Sequence, residues 1–355
     1  MVTIEEMLTV LVERGGSDLH ISVGSPPRIR VEGDLINTDF EVLTPETTQK
    51  LLYGLLNTNQ IAKFEKELEL DISFGIERLG RFRTNIFKQR GTLGSVMRLI
   101  PYEIKTMEQL RLPVKICQEL CNTLKGLVLV TGSTGSGKST TLAAMIDYIN
   151  STSKGHVITI EDPVEFLHKH KKCLVNQREI GTDTFGFGSS LKRVLRQDPD
   201  VVLIGEMRDL ETTEAALTIS ETGHLVFGTL HTSDCVQTIN RIIDIFPSHQ
   251  QQQIRTQLSF TIQGVFCQQL LPRSEGRGRV LAAEIMLATP AIRALIRDSK
   301  IHQIYSLLQT GGKLGMRTMN QDLTELYKNR QITYETALSF TADPDDFKRV
   351  VEKSQ

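Results

Sequence analysis

LVLVTGSTGSGKSTTL, residues 127–142, joins an apolar run to a glycine-rich turn and then to the start of a helix-like segment. That order is the setting of a phosphate-binding loop, in which an apolar strand feeds Gly-x-x-x-x-Gly-Lys-Ser and a helix leaves it. Gly132, Gly135 and Gly137 free the backbone to curl its N–H groups round an anion. Lys138 has the reach for β- and γ-phosphates, and the Ser139 hydroxyl suits Mg²⁺. Ser133, Thr134, Gly135, Ser136, Gly137, Lys138, Ser139 and Thr140 are therefore the expected contacts of a nucleoside triphosphate. A chance Gly/Ser-rich turn would lack the strand before it and the helix after it.

Working outward, the sequence changes character near residue 110. After it, apolar runs at 127–131, 156–161, 201–205 and 225–230 alternate with helical stretches, the pattern of strands buried on both faces of a parallel sheet. From residue 250 onward the signal is mostly helical, apart from a strand-like run at 280–287. Before residue 110, period-two alternation dominates: Leu19, Ile21 and Val23, then Ile29 and Val31 beyond a Ser-Pro-Pro turn, and later Phe82, Thr84 and Ile86. One helix-like stretch at 46–68 interrupts it. The reading is a small α+β domain at 1–100, a linker at 101–113 and a nucleotide-binding α/β domain at 114–355.

The chain has 355 residues, 39% hydrophobic and 23% charged, and a net charge of −1 that gives no general pull toward nucleic acid. No apolar run nears the roughly 20 residues that span a bilayer, and the amphipathic opening carries acids, unlike a signal peptide. The expected location is the cytosol. Cys117, Cys121, Cys173, Cys235 and Cys267 are scattered and odd in number, which reads as reduced thiols. Cys117 and Cys121 sit four apart on one helix with no second pair, so a zinc site is not expected.

A phosphate-binding loop alone does not hydrolyse anything; something must activate water. VVLIGE at 201–206 is an apolar strand ending in a carboxylate, which makes Glu206 the expected base, with Gly205 allowing close approach. A Glu capping the next helix is the alternative. ITIEDPVE at 158–165 sets Glu161, Asp162 and Glu165 at a second strand end, where their repulsion needs Mg²⁺ or a bridging water. His224 and His231 bracket the run at 225–230 and, seven apart, fall on opposite faces of a regular strand, which disfavours a joint metal site. His231, followed by Thr232 and Ser233, reads either as a γ-phosphate sensor or as structural. His224 reads as a packing residue or a contact between subunits.

As a set, these motifs resemble the secretion ATPases of the type II/type IV superfamily and, within it, the type IV pilus retraction ATPases. GSTGSGKSTT is similar to their Walker A loop, ITIEDPVEF to the Asp box, RQDPDVVLIGEMRDLET to Walker B and TGHLVFGTLHT to the His box, in the same order and spacing. SDLHISVGSPPRIRVEGD is similar to the opening of their N-terminal PAS-like domain. AIRALIRD at 291–298 is similar to the AIRNLIRE signature of retraction ATPases, with Ala294 for Asn and Asp298 for Glu but Arg293 and Arg297 intact. By spacing alone this segment is an ordinary amphipathic surface helix; the resemblance implies that it couples ATP state to domain motion. The extra N-terminal domain and tetracysteine insert of assembly ATPases are missing here, which points to retraction.

The resemblance implies a RecA-like P-loop NTPase core with a smaller N-terminal α+β PAS-like domain, assembled as a homohexamer that hydrolyses ATP with Mg²⁺. Ser139 and Glu165 are then the expected metal ligands, with Glu161 and His224 near the nucleotide and Lys138, Glu165, Glu206 and His231 in the catalytic set. Arg83 and Arg98, from RFRTNIF and VMRLI, are expected to complete the site as the N-terminal domain closes, and Arg196 to come from a neighbouring position. An arginine finger of this kind adds about 10³ to 10⁵ in rate. Lys192 stands where relatives show Arg and lacks its planar two-pronged contact. The implied partner is the inner-membrane platform protein at the pilus base, with pilin reached indirectly, no nucleic acid and no integral membrane segment. The alternatives are a pilus-assembly or type II secretion ATPase, a RecA-like nucleic-acid motor, and an ATP-binding scaffold without turnover. The charged tail at 341–355 reads as a helix with a solvated end.

Overall fold

The strand that leads into the glycine-rich loop is apolar on both sides because both sides are covered. In this computed structural model, which describes residues 2–77, 79–100 and 103–353, Leu127 and Leu129 pack into one hydrophobic cluster and Val128 and Val130 into another. The chain divides into two units, 1–103 and 104–355. The expected linker begins on Pro101 and Tyr102, which lie outside the described residues, while Met107 and Leu112 are buried in the core of the second unit.

The first unit runs α1 (Ile4–Glu13), β1 (Asp18–Ser22), β2 (Arg28–Val31), β3 (Asp34–Asn37), α2 (Pro45–Tyr53), α3 (Thr58–Glu67), β4 (Glu69–Ile76), β5 (Gly80–Gln89) and β6 (Thr92–Ile100). Its strands form one antiparallel sheet in the order β3-β2-β1-β6-β5-β4. Alternation turns Leu19, Ile21, Phe82 and Ile86 to one face, where Met7, Leu8 and Leu11 of α1, Leu52 of α2 and Phe64 of α3 cover them. This is the expected α+β unit. The single helix-like stretch at 46–68 is instead two helices. The Asn57 side chain accepts from the Gln60 N–H while the Gln60 side chain accepts from the Asn57 N–H, a reciprocal cap that starts α3 afresh.

The second unit runs α4 (Val114–Cys121), β7 (Gly126–Thr131), α5 (Lys138–Thr152), β8 (His156–Glu161), β9 (Leu174–Glu179), α6 (Phe187–Val194), β10 (Val201–Ile204), α7 (Leu210–Glu221), β11 (Leu225–Leu230), α8 (Cys235–Asp244), α9 (Gln251–Thr261), β12 (Ile262–Pro272), β13 (Arg279–Leu287), α10 (Pro290–Arg297), α11 (Ile304–Thr310), α12 (Met319–Lys328), α13 (Tyr334–Phe340) and α14 (Pro344–Lys353). The sheet order is β13-β12-β7-β11-β10-β8-β9. All neighbours are parallel except β13 against β12. Helices α4 and α5 cover one face and α6 to α10 the other, the layering of a RecA-like core.

Two strands of the second unit lie where none was expected, as do β3 and β4 of the first. β9 is half polar and sits at the sheet edge. β12 occupies a stretch read as helical, and it leaves α9 without a loop, so no turn residue marks the change. The tail forms the expected helix, α14, which Phe347 anchors, fully buried with Leu323 and Ala337, while residues 354 and 355 lie outside the described residues. Among the described residues no helix is long and apolar enough to cross a membrane.

Candidate nucleotide-binding and hydrolytic site

Because β7, β8, β10 and β11 are parallel, their C-terminal ends fall on one edge of the sheet, and the four motifs that follow them meet there. The loop after β7 turns at Gly132, whose φ of +141° suits only glycine. A Cβ there would lie 2.3 Å from the Gln268 carbonyl oxygen of β12. Lys138, the first residue of α5, donates from Nζ to the carbonyls of Gly132 at 2.9 Å and Ser133 at 3.0 Å. Burial lowers its pKa, and the charges of Glu206 and Glu165 act against that shift, which places both acids in its field.

Glu206 lies two residues beyond β10, with its side chain only 19% exposed. Its Oε1 meets Arg208 Nε at 2.5 Å and His231 Nε2 at 3.0 Å. His231 follows directly on β11, so strand register brings it to Glu206. The helix-capping alternative for Glu206 is overturned: Asp209 caps α7, its Oδ1 accepting from the Thr212 N–H at 2.8 Å. Gly205 makes a close approach, since a Cβ would lie 3.1 Å from Glu161 Cα at the end of β8.

Burial pushes the Glu161 carboxyl up to about 7, against the hydrogen bonds it accepts from Thr159 Oγ1 at 2.6 Å and Gln177 Nε2 at 3.3 Å, and the charge of Glu165 adds to the rise. Gln177 also donates to the Phe166 carbonyl and accepts from the His168 N–H, and Glu179 accepts from the Val164 N–H. Both sit on β9, and with Arg208 they are the site residues that sequence reasoning passed over. For Arg208 the signal was its position two residues beyond the expected base; for Gln177 and Glu179 it required seeing β9.

Other expected residues lie elsewhere. His224 stands at the start of β11, the opposite edge of the sheet, where Nδ1 pairs with the Ile219 carbonyl at 3.2 Å and Thr222 Oγ1 at 3.3 Å, so it takes no part in the site that this chain forms. Arg196 is exposed on the turn at 195–197 that leads to the start of β10, again away from Glu206. Lys192 pairs with Glu211 at 2.6 Å. Arg83 and Arg98 lie directly opposite one another in the first unit, on β5 and β6. Arg98 Nε donates to Asp18 Oδ1 at 2.8 Å; burial raises the Asp18 pKa, but the hydrogen bonds from Ser17 and Arg98 outweigh it and the net shift is downward. Arg293 is half-buried and tied down rather than lying free on the solvated face of α10. Its guanidinium donates to the carbonyls of Ser259 and Phe260 in the last turn of α9, to that of Ala288 and to Gln263 Oε1.

A family model described as type II/IV secretion system protein matches residues 67–333, and the chain belongs to that family of ATPases. It is 48% identical over 344 residues, 97% of this chain and 99% of the relative, to the type IV pilus retractation ATPase PilT of Pseudomonas aeruginosa. It is 46% identical over 311 residues, 88% of this chain and 83% of the relative, to a twitching motility protein of Neisseria gonorrhoeae. Among solved structures it is similar to that of the pilus retraction motor PilT with bound ADP, at a TM-score of 0.93 and 50% identity over 98% of this chain and 100% of that one. This is an ATPase with a RecA-like core and a small N-terminal domain.

Proposed function

We propose that this ATPase is the motor that drives type IV pilus retraction, a reading carried by similarity to a retraction motor along essentially the whole chain. ATP lies on the loop at 132–137, where backbone N–H groups and the N-terminus of α5 face its phosphates. Lys138 exchanges its two loop carbonyls for phosphate oxygens. Mg²⁺ bound with the nucleotide would offset phosphate charge, held by the Ser139 hydroxyl and the Glu165 carboxylate, both of which are oxygen donors suited to it. Glu206 takes the proton of the attacking water on Oε2, since His231 and Arg208 both engage Oε1. His231, tied to that base, is placed to sense loss of the γ-phosphate. Glu161 supplies a carboxyl that titrates near neutrality beside the nucleotide.

Arg83 and Arg98 of the N-terminal unit, and Arg196 of a neighbouring subunit in a homohexamer, add positive charge as the phosphoryl group transfers. His224 serves as a contact between subunits. Hydrolysis releases the arginines, and the resulting rigid-body motion acts on an inner-membrane platform protein from its cytoplasmic face, with pilin disassembly as the outcome. Live imaging of cells whose gene carries Glu206→Gln tests the reading. Excess pili that never retract are expected; bald cells would assign the motor to assembly, and unchanged pili would remove it from retraction.

A further inference from the structure

β12 pairs with β7 as far as Cys267 opposite Thr131 and then runs on to Pro272, while β7 gives way to the phosphate-binding loop. Gln268 is thus the first β12 residue past the end of β7, and it stands against the flank of the loop with 1% of its surface exposed. It meets the loop at three points. Its carbonyl oxygen occupies the space beside Gly132, its Nε2 donates to the Ser136 carbonyl at 2.8 Å, and the same Nε2 lies 3.2 Å from where a Gly137 Cβ would be. Gln268 Oε1 and Ser136 Oγ are both buried and have no hydrogen-bond partner among the described residues.

The bond to Ser136 fixes more than a carbonyl. A trans peptide is planar, so its C=O and the following N–H point in opposite directions. Drawing the Ser136 carbonyl toward β12 turns the Gly137 N–H away from β12, toward the space in front of α5 where phosphate binds. We propose that Gln268 is a positioning residue for the nucleotide's phosphates, acting through the Ser136–Gly137 peptide. It touches no reacting atom, and its influence is on how well the loop is arranged before the phosphate arrives.

The proposal rests on the loop at 132–137 as the phosphate site and deepens that reading. The test is binding of a fluorescent ADP analogue and of tripolyphosphate, which has phosphates but no base or ribose, to Gln268→Leu full-length protein. Gln268→Met, which keeps the unbranched length, stands in should Leu fail to fold, with thermal unfolding as the judge. The expected result is a Kd raised about tenfold for both ligands, the scale of one lost buried hydrogen bond. KM for ATP rises similarly, while kcat stays within about threefold. Unchanged affinity in a folded variant, or a loss confined to ADP, would overturn the proposal. Lys138→Ala in the same assay separates the two readings: if it too leaves both affinities intact, the loop is not the phosphate site.

Discussion

The two ends of β11 carry the same residue type with different consequences. His231 at the C-terminal end reaches Glu206, while His224 at the N-terminal end holds the last turn of α7 through the Ile219 carbonyl. Only the C-terminal edge gathers the loop after β7, the acids after β8 and the carboxylate after β10, because parallel pairing brings β7, β8, β10 and β11 out on the same side. A side chain's chemistry is therefore decided less by its type or motif than by which strand end it occupies.

The largest effect that tests this comparison is at the histidines. His231→Ala is expected to lower kcat by about 10² to 10³, within the span of general-base catalysis, whereas His224→Ala should leave ADP affinity within about twofold. Steady-state turnover and ADP titration of both variants check it, and a loss of ADP affinity at His224 would break the division into two edges.

The next effect is a pH dependence confined to the site edge. The Glu161 pKa of about 7 lies above its ordinary value of 4.5, so near pH 6 the folded chain holds a proton that the unfolded chain has released. That contribution is full below about pH 4.5 and is lost as pH rises through 7. Thermal or denaturant unfolding between pH 5 and 8 should show wild type losing up to about 3 kcal/mol more than Glu161→Gln. Equal slopes would place Glu161 in a more solvated setting.

The smallest is Arg293→Ala, which strips donors from the carbonyls that end α9 and is expected to cost about 1–3 kcal/mol in unfolding. Unchanged stability would return Arg293 to the solvated face that its spacing suggested.

What could be read beforehand follows from the same physics. β7, β8, β10 and β11 are covered on both faces and so appear as continuous apolar runs around the motifs. β12 is equally buried, yet its Gln263, Gln268 and Gln269 break the run and α9 enters it without a turn. Both Gln177 and Gln268 were hidden with their strands. The Asn57-to-Gln60 cap was legible as a helix start but was overlooked beneath the periodicity on either side of it. That the Glu161 pKa is raised could not be read at all, since it depends on burial.

The most direct measurement is ATP turnover and ATP-analogue binding by purified full-length Glu206→Gln beside wild type. Binding within about threefold with turnover at least a hundredfold lower is what a base at this strand end requires. Turnover at the wild-type rate would contradict it and place the base elsewhere.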